Sequence, residues 1–212
     1  THRNISVHLT ANQMKKLLKP LIFSFGLDKI IEQIPKECLV CTSTIPRYLK
    51  HQVGTQRTST FLPGEHLVID SGYMNTSKDQ FSKIIILVDQ CTGRISALPL
   101  RNLKSSTVIR MIHLYLCCNV HPKQISCDLG SEYLLSLDQF LQTMGIKLTS
   151  QGTNIKSTTS IAELSIRLLK TALRQTSLHD PRLWPQYLPQ CIQVINSLPL
   201  YDTKVSRNML FY

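Results

Sequence analysis

Apolar positions near the start of the chain recur at helical spacing: Leu9, Met14, Leu17, Leu18 and Leu21 fall on one face, and Leu27, Ile30, Ile31 and Ile34 on another. The pattern predicts a short helical module over residues 1–45. A module of that size buries little core, so a staple such as a bound metal is expected. Composition then turns polar and basic over residues 46–62, with Pro46, Gly54 and several Thr and Ser, which reads as a linker.

The remainder, residues 63–212, changes character. His66–Asp70 (HLVID) and Lys83–Asp89 (KIIILVD) are apolar runs of strand length, and Arg94–Leu98 follows a Thr92-Gly93 turn. Three strands joined by short turns predict an antiparallel meander. Val108, Ile109, Ile112 and Leu116 give helical spacing to Leu103–Cys117. A short strand is expected over Gln124–Cys127, a helix over Leu134–Met144, another short strand over Ile146–Thr149, and helices over Ile161–Thr176 and Trp184–Leu198. The order βββαβαβαα predicts an α/β fold, a mixed sheet with helices on its faces. No internal repeat stands out.

Composition adds a partner class. The chain has 24 Lys and Arg against 13 acids, a formal net charge of +11, without a solid basic block. That balance favours a polyanion, nucleic acid first. No run reaches the roughly 18 apolar residues of a membrane span, and no secretory leader is visible, so a soluble intracellular protein is expected. Thr1 as first residue fits a piece of something longer. Seven cysteines make an odd number for a disulfide framework. Cys91, Cys117, Cys118, Cys127 and Cys191 mostly lie in apolar runs and are expected as small buried hydrophobes.

Two constellations carry candidate chemistry. Cys38 and Cys41 form a C-x-x-C pair, with His2 and His8 upstream. Two imidazoles and two thiolates complete a tetrahedral Zn²⁺ shell able to hold short helices together. The same spacing also fits a redox pair, which would want a thioredoxin-like βαβ context, or chance.

The second constellation is acidic. Asp70 closes the first predicted strand, Asp128 the fourth, and Glu163 sits near the start of an amphipathic helix. Carboxylates at neighbouring strand ends, joined by one from a helix packed on the sheet, suit two Mg²⁺ or Mn²⁺ ions that bind phosphate oxygens and water. Each acid also has a plain reading. Asp128 before Gly130 is ordinary strand-to-turn chemistry, Asp70 could cap a turn toward Gly72, Asp89 is an equally placed strand-end acid, and Glu163 could be a first-turn acid favoured by the helix dipole. Arg167 and Lys170, four and seven residues after Glu163, share its helical face. They are either a solvated face with one salt bridge or contacts to a phosphate backbone.

Assembled in order, these residues resemble the integrases of retroviruses and gypsy-like long-terminal-repeat retrotransposons. His2, His8, Cys38 and Cys41 resemble the family's amino-terminal zinc module, and SFGLDKIIEQIPKECLVC its second helix running into the Cys pair. PGEHLVIDSGY resembles the strand with the first catalytic Asp, ISCDLGSEYL the second, and SIAELSIRLLKTAL the helix with the catalytic Glu. The 34 residues between Asp128 and Glu163 are close to the family's usual gap. The segment DPRLWPQYLPQCIQVINSLPLYDTKVSRNMLFY is similar to the helix and loop that follow the core.

The resemblance implies a ribonuclease H-like core with a five-stranded mixed sheet, in which Asp70, Asp128 and Glu163 hold two Mg²⁺ or Mn²⁺ ions. It also implies a structural Zn²⁺, Arg167 and Lys170 near the DNA backbone, homo-oligomers on paired element ends, and a nuclear site of action after a cytoplasmic phase in a particle. The implied chemistry is hydrolysis at the element's 3′ end followed by attack of the new 3′ hydroxyl on target DNA. Leu129 stands where the family usually has Asn, and NIKSTTSIAE replaces its usual small-residue turn before the Glu. No third domain follows Tyr212, which fits a truncated or domesticated chain. Two rival functions stay open on the sequence: a host-domesticated relative that binds nucleic acid or protein without catalysis, and an unrelated ribonuclease H-like nuclease.

Overall fold

The computed structural model describes residues 8–44, 61–127, 131–150, 156–198 and 205–212. His2 and Asp128 lie outside the described residues, as does most of the expected linker.

The amino-terminal module holds α1 (Ala11–Leu18), α2 (Leu27–Glu37) and α3 (Leu39–Thr44). Thr10 opens α1 with a reciprocal cap: its hydroxyl accepts from the Gln13 amide at 3.3 Å, and the Gln13 side-chain oxygen accepts from the Thr10 amide at 2.9 Å. Leu9, Met14 and Ile31 fill the small core. Leu21 and Ile30, expected on apolar faces, are exposed. Pro20 cannot continue α1, so Leu21 falls beyond the helix end and leaves its stripe. The module also borrows apolar surface. Leu198 joins its core and Val194 packs against it, both from the end of the chain's last long helix.

Five strands form one sheet in the order β3-β2-β1-β4-β5: β1 (His66–Tyr73), β2 (Lys83–Asp89), β3 (Ile95–Leu100), β4 (Gln124–Cys127) and β5 (Lys147–Ser150). β1, β2 and β3 pair antiparallel, and β4 and β5 continue parallel to β1. β1 does not stop at Asp70. It runs to Tyr73 because Asp70, Ser71, Gly72 and Tyr73 pair with Ile86, Ile85, Ile84 and Lys83.

Strand alternation splits the core into two layers. Val68, Ile84, Ile86, Val88, Ile95 and Ala97 face α6 (Lys156–Thr176) and α7 (Trp184–Ser197). Leu67, Ile69, Ile85, Leu87, Ile125 and Cys127 face α4 (Ser105–Cys118) and α5 (Ser131–Thr143). At about 1.5–3 kcal/mol for each fully buried Leu or Ile, the interior strand β2, paired on both sides and apolar on both faces, is the anchor of the fold. α4 presents Val108, Met111, Ile112 and Tyr115 to the sheet, and α6 presents Ile161, Ala162, Ile166, Leu169, Ala172 and Leu173.

The edge strand β3 is blunted. Asn196 on α7 accepts from the Ile95 amide at 2.9 Å and donates to the Ile95 carbonyl at 2.8 Å, and Pro99 has no amide to offer. At the opposite end of the chain α8 (Arg207–Phe211) is held down by Arg94. Its guanidinium donates to Asn119 at 2.8 Å and to the Tyr212 hydroxyl at 3.0 Å, and stacks 4.5 Å from the Phe211 ring centroid.

Of the cysteines expected to be buried, Cys127 and Cys191 are, while Cys117 and Cys118 are exposed and Cys91 is half-buried. Cys117 and Cys118 end α4 past its last buried residue, Tyr115, so the helix has already left the core there.

Candidate active site and metal centre

In the amino-terminal module, α2 ends and α3 begins at the Cys pair, which folds both thiols back toward the segment before α1. The His8 Nδ1 lies 3.3 Å from Cys38 Sγ and 3.5 Å from Cys41 Sγ. All three ligand atoms fall within 4.8 Å of one another. A tetrahedral zinc with bonds of about 2.05 Å to nitrogen and 2.3 Å to sulfur spans an N···S edge of about 3.6 Å. The trio therefore has the spacing zinc requires. Burial, then the neighbouring Cys38, pushes the Cys41 thiol up to about 12. A thiol raised in this way gives up its proton readily only when a cation joins it.

The acidic site is organised by β1 and α6. Parallel pairing places Ile69 of β1 beside Cys127 of β4. Asp70 follows the first of these residues and Asp128 follows the second in sequence. Val68 packs with α6, so alternation puts Asp70 and Gly72 on the same face of β1. Asp70 is half-buried and its Oδ1 accepts from the Ser71 amide at 2.7 Å. This is a bond within an extended strand, so the turn-capping role is excluded.

Asp89 does not compete with Asp70 for the site, and the helix dipole does not account for Glu163. β2 runs antiparallel to β1, so Asp89 lies at the far end of the sheet, across from Leu67. There it is buried, accepting from Gly64 at 2.9 Å and from the Thr92 amide and hydroxyl at 2.7 and 2.6 Å. It is a structural acid that fastens the β2–β3 turn. α6 begins at Lys156, about two turns before Glu163, and has no acid in its first turn. Glu163 is therefore beyond the reach of the helix N-terminus.

Gly72 is the place where α6 meets β1. Its backbone does not need a positive φ. A Cβ there would stand 3.0 Å from Ile166 Cγ2, 3.4 Å from Lys170 Cε and 3.5 Å from Lys170 Nζ. Glycine thus lets the helix settle onto the strand and carries the Lys170 ammonium across it, two residues from Asp70. Glu163 is three residues before Ile166, about 4.5 Å of helix rise. Glu163 and Arg167 are exposed and Lys170 is half-buried. The three charged side chains thus share a helix whose contact with β1 is fixed.

This contact gives a direct expectation. Gly72→Val forces two methyl groups against Ile166 and Lys170 and should lower stability by about 1–3 kcal/mol in urea unfolding. Adding Ile166→Ala should recover part of the loss, whereas an unchanged loss would contradict the packing described.

One support was not anticipated from the sequence. His66, four residues before Asp70, is buried, and its Nε2 lies 2.7 Å from Ser126 Oγ. Ser126 Oγ in turn lies 2.8 Å from Thr149 Oγ1, so a polar row crosses β1, β4 and β5 and fixes their register. Burial depresses the affinity of His66 for a proton, and the Phe61 ring covers it at 4.7 Å. An isolated His in an apolar run gives no sequence signal for this role; only the strand order does.

No family model matches the chain. The Gag-Pol polyprotein of avian reticuloendotheliosis virus is 24% identical over 195 residues, which is 91% of this chain and 17% of the polyprotein. Among solved structures, a simian T-cell lymphotropic virus intasome in complex with a PP2A regulatory subunit superimposes with a TM-score of 0.70 at 18% identity. It covers 97% of this chain and 69% of that one. The chain resembles retroviral integrases. The integrase catalytic core of HTLV-2, solved with magnesium in a dimeric form, gives a TM-score of 0.59 at 18% identity over 71% of this chain and 98% of that one. The core of BIV integrase gives 0.54 at 16% identity over 63% and 84%. The mixed five-stranded sheet with its flanking helices is thus the ribonuclease H-like fold of an integrase catalytic core. The helical module precedes it, and the intasome match extends over both.

Proposed function

We propose that the chain is the zinc module and catalytic core of an integrase from a retrotransposon or retrovirus-like element. In this reading the module spans residues 1–45, the linker 46–62 and the core 63–212. The observation that carries the reading is the parallel β1–β4 register, with α6 crossing β1 two residues past Asp70. It supports a site in which Asp70, held within β1, is joined by Asp128, the residue next in sequence after β4, and by Glu163 from α6.

The donor set fits hard divalent cations, since all three groups offer carboxylate oxygens. Bound Mg²⁺ or Mn²⁺ would supply charge neutralisation at the scissile phosphate and acidify an attacking oxygen. The chain's own residues do the positioning. Asp70, fixed by the Ser71 amide and by strand pairing, holds one side of the site. Lys170, seated over Gly72, and Arg167, one turn before it, hold the DNA backbone through phosphate oxygens. The reaction class is phosphoryl transfer: a water or a DNA 3′ hydroxyl forms the new P–O bond, and the displaced 3′ oxygen leaves with a proton. His8, Cys38 and Cys41, joined by His2, hold a structural Zn²⁺. Element ends and target DNA are the proposed partners, bound by a homo-oligomer. The proposed place of action is the nucleus, after a cytoplasmic phase in a particle. Among the described residues no helix is long and apolar enough to cross a membrane.

The test is rejoining of a branched DNA oligonucleotide, the reverse of strand transfer, by the chain with Mg²⁺ or Mn²⁺. Metal-dependent rejoined product is expected. Leu129 and the NIKSTTSIAE segment, which depart from the family pattern, favour a second reading as a domesticated binding protein. Folded protein that binds the branched DNA and never rejoins it would decide for that reading.

A further inference from the structure

The β1–β2 hairpin continues past the candidate site and ends in an aromatic ring that the proposed chemistry does not use. Tyr73 is 76% exposed, although it belongs to a strand and not to a loose loop. It pairs across the hairpin with Lys83, whose ammonium lies 4.8 Å from the ring centroid. The exposed C-terminal tyrosine, Tyr212, is by contrast hydrogen-bonded and stacked under Arg94. Among the described residues the lysine covers one face of the Tyr73 ring, and the ring's exposure leaves the other open.

The platform is rigid. Met74 donates to Ser82 at 2.8 Å and Ser77 to Phe81 at 2.8 Å, which close the hairpin. The Trp184 indole donates to the Asn75 carbonyl at 2.8 Å and ties the loop to α7, and Lys78 pairs with Asp180 at 2.9 Å. A large apolar ring held still in water loses little conformational freedom when it meets a flat partner.

Position supplies the partner. Tyr73 is three residues, about 10 Å, along β1 from Asp70. Alternation puts Asp70, Gly72 and the seated Lys170 on one face of the strand and Tyr73 with Lys83 on the other. The tip of β1 therefore carries an ammonium on each face and an aromatic ring on its rim. That combination suits a single strand whose phosphates meet the ammoniums while one base leaves its stack.

We propose that Tyr73 and Lys83 form a stacking platform for one unpaired nucleobase next to the nucleotide held in the candidate site. The ligand is a base in a frayed or overhanging DNA end. Base identity is secondary, because every base offers a π face. This rests on the DNA-processing reading above.

The experiment measures fluorescence anisotropy of labelled duplexes with the full chain, using three probes: a blunt end, a thymine overhang, and an overhang of equal length with abasic sugars. The two overhangs carry the same phosphates, so their difference reports the base alone. The chain should bind the thymine overhang roughly 5- to 150-fold more tightly than the abasic one. Tyr73→Ala should make the two overhangs equal, and Tyr73→Phe, which keeps the ring, should retain the preference. Equal binding of both overhangs by the unaltered chain, with duplex binding intact, would overturn the platform and leave the integrase reading standing. So would a preference that survives Tyr73→Ala. Loss of binding to all three probes would overturn both.

Discussion

Stripping zinc from the amino-terminal module is expected to unfold α1, α2 and α3 while the five-stranded sheet keeps its pairing. The module's small core of Leu9, Met14 and Ile31, beside the two buried thiols, cannot order three short helices without help. Structural zinc supplies an apparent binding free energy of about 10–16 kcal/mol in small zinc modules. The module's contact with Leu198 and Val194 gives it a seat on α7 but does not replace a staple. Elemental analysis should find one zinc per chain, and a chelator should remove helical circular dichroism and expose residues 8–44 to protease. Cys38→Ser should behave like the chelated chain. A zinc-free chain with undiminished helix would contradict the His8, Cys38 and Cys41 centre.

Glu163→Gln should abolish metal-dependent DNA rejoining without disturbing the fold. Glu163 is exposed on α6, with its buried neighbours Ile161, Ala162 and Ile166 making the packing. A surface substitution of this kind changes stability by about 0.5 kcal/mol or less. The catalytic effect is of another size. Loss of an outer-shell partner of a metal costs roughly 10- to 100-fold, and loss of a direct ligand should exceed that. Asp70→Asn should match it, again with little effect on unfolding. Retention of even a tenth of the rate in either variant would mean that these carboxylates are not ligands. Asp89→Asn makes an informative contrast: it should reduce stability, because its amide nitrogen replaces one of the two oxygens and so faces either the Gly64 or the Thr92 donors, at the far end of the sheet from the site.

How much of this could be read in the chain follows from which interactions are local. KIIILVD announces a strand buried on both faces, and the meander of β1 to β3 follows from short turns. C-x-x-C with an upstream His announces the candidate metal centre, whose three ligand atoms the structure brings together. The relation of Asp70 to Asp89 is different. Both end apolar runs, and only the antiparallel register of β1 and β2 sends them to opposite ends of the sheet. The extension of β1 to Tyr73 is likewise invisible, because Ser71 and Gly72 look like a turn and are held extended by Ile85 and Ile84. α6 begins at Lys156, five residues before the first apolar position, since its polar first turns carry no apolar periodicity. The pairing of the module with Leu198 joins residues far apart in sequence, and neither face is distinctive alone. Gly72 against Ile166 and Lys170 belongs to the same class. The residue types were legible, while their juxtaposition depends on the packing of α6 over the sheet.

If Asp70, Asp128 and Glu163 form one divalent-metal site, each must contribute to the same bound ions. Electron paramagnetic resonance titration with Mn²⁺, on zinc-loaded chain with a duplex DNA end bound, tests this most directly. A shared site predicts tightly bound Mn²⁺ that is lost or sharply weakened in Asp70→Asn, Asp128→Asn and Glu163→Gln alike, with zinc content unchanged. Manganese binding that is equal in the parent chain and all three variants would contradict it.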